Sequence, residues 1–185
     1  MADSNAFDPQ QFFDHTVADG HSRDPGHADM FVVVPETATT SYGVINVSLS
    51  QIAGMLPLPI RLTNGRHRSS GGYGIAHMLE GHDSGIALHG YWSVQDFVHE
   101  VAQEFDAVYE GYQGRWLLVY RKGKNPSLLR LLVIELGKKR DHYSVVSGWF
   151  VSARRPVSGN LVAEKIEKDG IITWERRAPR SEGPG

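Results

Sequence analysis

The spacing of apolar residues changes period along this chain, and the change separates helical from extended segments. Val94, Phe97, Val98, Val101, Ala102 and Phe105 recur at helical spacing, and Ser93 with Asp96 forms a capping-box-like start, which predicts an amphipathic helix. Beyond it, RWLLVYRK, SLLRLLVIEL and HYSVVSGWFV are apolar or alternating runs separated by the turn-rich stretches GKNP and GKKRD. That pattern predicts an antiparallel meander. LVAEKIEKDGIITWE adds one more hairpin, with Asp169-Gly170 at its tip. Upstream, MFVVV and GVINVSL are short β-branched runs, and residues 48–54 make a brief helix before Pro57 and Pro59. The polar, glycine-rich loop NGRHRSSGG then leads into YGIAHMLEGH, a short helix.

The expected fold class is α+β, with N-terminal helices packed on an antiparallel β-meander. Residues 1–28 carry Asp, Gly, His and Pro without periodicity and are expected to form a flexible leader or linker. Residues 29–178 form a single domain in this reading, and 179–185 fray. A chain of 185 residues is long enough to bury a core without staples.

Composition mainly removes options. With no Cys, disulfides, thiolate metal sites and a Cys nucleophile are excluded. No apolar run approaches a bilayer's thickness, so a soluble protein is expected, and MADSNAFDPQQFF lacks the features of a Sec signal. The net charge of −2 hides a segregation. Residues 1–30 hold six Asp against Arg23, whereas 115–140 hold eight Lys or Arg against Glu135 alone. The second block is a candidate polyanion footprint, the alternative being lysine-rich turns that keep strand edges soluble.

The candidate chemistry centres on His77 and His82. Five residues apart, they would lie about 140° apart on a continuous helix and could not share a ligand. Met78 rather than Glu follows His77, and no third ligand is evident, so neither metal nor cofactor is expected. If the helix ends at Gly81, His82 can swing back toward His77, and two imidazoles beside a basic loop make an acid/base pair. The alternative is that His77 packs beside Ile75 and Leu79 while His82 caps the helix end. Ser69 and Ser70 lack the strand–turn–helix setting of a nucleophile elbow. Tyr143, Val145, Ser147 and Trp149 are expected on one face of a late strand, presenting a phenol, a hydroxyl and an indole. Arg130, inside SLLRLLVIEL, requires solvent, a carboxylate such as Glu135, or a bound anion.

The order of these parts resembles the phage-associated branch of the barnase/EndoU/colicin/RelE-like ribonuclease superfamily: an Arg/His loop, a GxGxxH helix with a second His, an amphipathic helix, and a basic meander containing YSVVS. The resemblance spans about residues 60–155. It implies a toxin or effector RNase that cuts RNA without metal, the ribose 2′-hydroxyl attacking the adjacent phosphorus. It implies His77, His82, Tyr143 and Ser147 as catalytic residues, the last two at the polar positions of the late strand. The phosphate contacts, Arg66, Arg68, Arg121, Lys122 and Arg130, are assigned from charge and location. Expected partners are RNA, a cognate inhibitor and a carrier protein, with a cytoplasmic site of action after delivery by a specialised secretion system or a phage. Two other readings stand beside it: a non-catalytic nucleic-acid- or protein-binding virion module of the same fold, and an ADP-ribosyltransferase-like toxin.

Overall fold

The computed structural model describes residues 28–66, 72–123 and 125–177. Eight strands form one curled, mixed sheet: β1 (Ser41–Val44), β2 (Pro59–Arg61), β3 (Ala107–Glu110), β4 (Arg115–Tyr120), β5 (Leu128–Leu136), β6 (Tyr143–Ser152), β7 (Asn160–Lys168) and β8 (Ile171–Arg176). Their spatial order is β1-β2-β6-β5-β4-β3-β7-β8. Three α-helices are described: α1 (Val47–Ala53), α2 (Gly74–Leu88) and α3 (Val94–Glu104).

The α+β class holds, and β4 to β6 form the expected antiparallel meander, which β3, a strand the pattern did not predict, extends by antiparallel pairing with β4. The sheet is not purely antiparallel, however, because β2 pairs parallel to β6 and brings β1 with it. Two strands therefore precede α2 and α3 in sequence and extend the sheet beyond β6. MFVVV is not a strand either. Phe31 makes an isolated bridge to Thr63, and the rest of the run lies alongside. Among the described residues no helix is long and apolar enough to cross a membrane.

Helix α3 follows its sequence signals closely. Val94, Phe97, Val98, Val101 and Ala102 are buried against Leu118, Leu132 and Ile134 of the sheet. At its start, the Ser93 hydroxyl accepts from the Asp96 N–H at 3.1 Å and donates to Asp96 Oδ2 at 2.7 Å. Ser93→Ala removes both bonds, and a loss of about 1 kcal/mol is expected in urea denaturation; an unchanged midpoint would show that the cap contributes nothing.

Helix α2 starts differently. Tyr73 stands at its N-cap without a capping side chain. The first-turn amides of Ile75 and Ala76 instead donate to the carbonyls of Thr63 and Asn64, both at 3.0 Å. The chain leaving β2 thus supplies the acceptors that the helix start lacks. Gly74 makes this close approach feasible: its φ is +73°, and a Cβ there would lie 2.6 Å from the Thr63 carbonyl oxygen.

Candidate functional site

Helix α2 does not stop at Gly81. It runs through Gly81 and Gly85, where an added Cβ would meet nothing, because buried Met78 and Ile86 anchor the segment on both sides. Tertiary packing here outweighs the roughly 1 kcal/mol that each glycine costs a helix. Ile75, Met78, His82 and Ile86 form one stripe at helical spacing, so His82 occupies a position where the pattern calls for an apolar residue.

The two imidazoles meet although the helix is continuous. Their ring centroids are 5.9 Å apart and the planes nearly perpendicular, at 89°. Helical side chains lean toward the N-terminus, so His82 leans over the turn that carries His77 and closes much of the angular gap. On its other side His77 sits against Gly72, where a Cβ would come within 2.6 Å of Nδ1. His82 also faces Trp149 at 6.2 Å. Burial, together with the like charge of His77, holds the His82 imidazolium below its ordinary pKa. His82 is therefore neutral, and able to accept a proton, at neutral pH.

Helix α2 lies across the edge of β6: His82 approaches Trp149, while His89 approaches Phe150 at 4.4 Å. Those neighbours point to opposite faces of the sheet. A β-bulge decides which residues accompany Trp149. Val133 pairs with Ser147 but Ile134 pairs with Val145, leaving Val146 as an extra residue. The expected single face of Tyr143, Val145, Ser147 and Trp149 is thereby broken. Tyr143 and Val145 belong to the helix-side core, and Ser147 shares the opposite face with Trp149. Tyr143 is only 2% exposed and its hydroxyl accepts from the Leu56 N–H at 2.8 Å, so its phenol is committed within the core. Ser147 is buried.

The basic block is not one surface. Arg115 pairs with Glu135 at 3.0 Å. Arg121 is bound by Asp106 at 2.6 Å and by Glu164. Arg130 is 3% exposed, and its Nε donates to the Tyr91 hydroxyl at 2.6 Å, with Glu100 at 3.7 Å. Glu135, the carboxylate expected for Arg130, lies an odd number of residues along the same strand and faces the other way. Of the remaining cations, Lys122 is exposed in the β4–β5 turn, whereas Lys138, Lys139 and Arg140 are exposed in the β5–β6 turn. The nine residues of β5 separate these turns by roughly 27 Å. Lys124 lies outside the described residues, as do Arg68, Ser69 and Ser70. Arg66 is exposed, exchanges backbone hydrogen bonds with Tyr73 at the root of α2, and holds its guanidinium 5.9 Å from the Tyr73 ring.

Two further features were not singled out in the sequence. A cleft of about 850 Å³ opens beside α3, lined by Tyr91, Trp92, Glu100, Glu104, Tyr120 and Arg130. Neither His77 nor His82 lines it, and its carboxylates disfavour a polyanion. Trp92 at its rim is 99% exposed. At the start of β6, His142 Nδ1 meets Asp141 Oδ1 at 2.6 Å and Nε2 meets Ser144 Oγ at 2.9 Å. Burial lowers the His142 pKa despite Asp141, so the neutral ring donates from Nδ1 to Asp141 and accepts from Ser144. No set of three or more His, Asp or Glu residues placed for a metal occurs among the described residues.

Comparison with protein-family models, curated proteins and solved structures finds no match for this chain.

Proposed function

We propose that the protein is a metal-independent endoribonuclease whose centre is the His77–His82 pair. The observation that carries this reading is the 5.9 Å approach of two imidazoles, one of them held neutral, beside an indole. His82 takes the proton of the ribose 2′-hydroxyl as its oxygen attacks the adjacent phosphorus. The bond from phosphorus to the 5′-oxygen breaks, and that oxygen leaves with a proton from His77. The products are a 2′,3′-cyclic phosphate and a 5′-hydroxyl, with no net redox change. Trp149 offers a stacking face for a base, and Arg66 a cation at the root of the same helix. The order of loop, histidine helix, amphipathic helix and antiparallel meander supports a barnase/EndoU/colicin/RelE-like fold. A toxin or effector role, acting in a cytoplasm and countered by an inhibitor protein, follows from that resemblance.

The test is cleavage of a defined RNA in EDTA. Cyclic phosphate ends are expected, and a single 2′-deoxy substitution at the cut site should block the reaction there. Activity that appears only with added zinc or manganese, or equal cleavage of DNA, overturns the reading. A second reading, a non-catalytic module that binds a protein, is favoured by the nearly fully exposed Trp92 at the rim of an acidic cleft. It predicts that Trp92→Ala abolishes partner capture while RNA remains intact throughout.

A further inference from the structure

Arg61, the last residue of β2, is 3% exposed. Its Nε and Nη2 are both buried and neither has a hydrogen-bond acceptor. Those two N–H groups form the edge of the guanidinium that grips two oxygens at once. Other arginines of the chain use theirs: Nε of Arg115, Arg121, Arg130, Arg176 and Arg177 each donates to an oxygen. These five include side chains far more exposed than Arg61, for which water would serve. A buried guanidinium with that whole edge empty is the costlier arrangement, and it calls for an acceptor.

Its surroundings narrow what that acceptor is. Thr63 lies two residues on, where the chain bridges to Phe31, and its buried Oγ1 also has no partner. Ser144 is the direct cross-strand partner of Arg61 in the parallel β2–β6 pair. The nearby carboxylate, Asp141, is already held by His142. The Phe31 ring lies 4.6 Å from the guanidinium and meets His142 edge-on at 4.9 Å, covering both. Lys138, Lys139 and Arg140 follow in the adjoining exposed turn. The site thus offers two forked N–H donors, a neighbouring hydroxyl and an excess of positive charge over one committed carboxylate. A phosphate group, with three terminal oxygens and up to two negative charges, answers the fork, the hydroxyl and the surplus positive charge together.

We infer that Arg61 and Thr63, beneath Phe31, form a site for a phosphate group. Inorganic phosphate addresses the site with no RNA present, so its standing is separable from that of the ribonuclease reading. Where both hold, the site lies at the root of the catalytic helix, because the Thr63 carbonyl accepts the Ile75 amide two residues before His77. A phosphate of the bound strand, away from the one being cut, then occupies it.

The experiment follows the thermal midpoint of the full chain as sodium phosphate replaces sodium chloride at constant ionic strength. The wild type should gain about 5–10 °C, saturably, at a hundredfold excess over the dissociation constant. Arg61→Met keeps the shape, removes the charge and should lose the response, with a midpoint in chloride no lower than that of the wild type. If that variant does not fold, Arg61→Lys retains charge without the fork and should bind phosphate at least tenfold more weakly. The Arg61 Nε–H resonance should shift with the same saturation curve. A short oligodeoxynucleotide, which cannot be cut for lack of a 2′-hydroxyl, separates the sources. Competition with phosphate assigns the site to strand phosphates, and its absence to free phosphate. The inference is overturned if phosphate leaves the wild type unchanged, or if Arg61→Met responds as the wild type does.

Discussion

Alanine at either His77 or His82 should lower RNA cleavage by about 10²–10⁴-fold, and the double variant should fall little further. In the proposed mechanism the two rings act on one proton inventory: one removes the 2′-hydroxyl proton while the other protonates the leaving oxygen, so losing either disables the step that both serve. The side chains lie on one helix and touch, which makes the coupling direct. Because His82 is lowered by burial and by the charge of His77, the acid limb of the kcat/KM profile should lie below about 6.5. In His77→Ala the like charge is gone, and the limb of the residual activity should move upward toward the ordinary histidine value. Near-additive single effects, or a folded His77→Ala that cleaves at the wild-type rate, would remove the pair from the mechanism.

The local features of this fold were legible because local physics sets them. Helix α3 needed only its apolar stripe and its Ser93 cap. The β7–β8 hairpin turns at Asp169-Gly170, whose φ values of +54° and +78° match what such a turn requires. The misreadings arose where a distant partner decides. The bulge at Val146 inverts the expected face of Ser147 relative to Tyr143, and the alternation in YSVVSGW fits either arrangement equally well. Helix α2 passes through two glycines because of what Met78 and Ile86 pack against, and no local propensity could have revealed that.

The candidate site was half legible for the same reason. His82 on an apolar stripe and Gly72 before His77 are visible in the sequence once the helix is known to continue. The fate of the basic block is not visible. It depends on the sheet order, which sets β7 beside β3 and aligns Glu164 with Ala107, next to Asp106. That alignment places two carboxylates around Arg121 from positions 15 and 43 residues away. A local count of eight cations against one anion could register neither. Nor could it register that Arg61, outside the block, is left with an empty fork.

Arg121→Gln should therefore act on stability far more than on RNA binding, contrary to what the charge pattern suggests. Asp106 is only 4% exposed at its side chain, and Arg121 gives it both an N–H donor and a countercharge. Without the guanidinium a nearly buried carboxylate keeps the Arg121 backbone N–H, at 3.2 Å, but loses its ion pair. Breaking such a pair by removing one partner typically costs about 3–5 kcal/mol. Arg121 is itself about one-third exposed and water can replace part of the interaction, so about 2–4 kcal/mol is expected. For a chain of this length that lowers the thermal midpoint by roughly 5–15 °C. Acid should narrow the difference. Partial burial alone would raise the Glu164 carboxyl, but the hydrogen bonds and charges of Arg121 and Arg177 outweigh it and hold its pKa below the usual value. Its contribution is thus complete above the unfolded value of about 4.3 and is lost as pH falls through the lower folded value. The gap between the midpoints of wild type and Arg121→Gln should be widest near pH 7 and narrower below about pH 4. Lys122→Gln, made separately on an exposed side chain, should move neither curve by more than about 0.5 kcal/mol. If instead Arg121→Gln unfolds with the wild type across this range while RNA affinity drops, Arg121 is a phosphate contact after all, and Asp106 and Glu164 release it on binding.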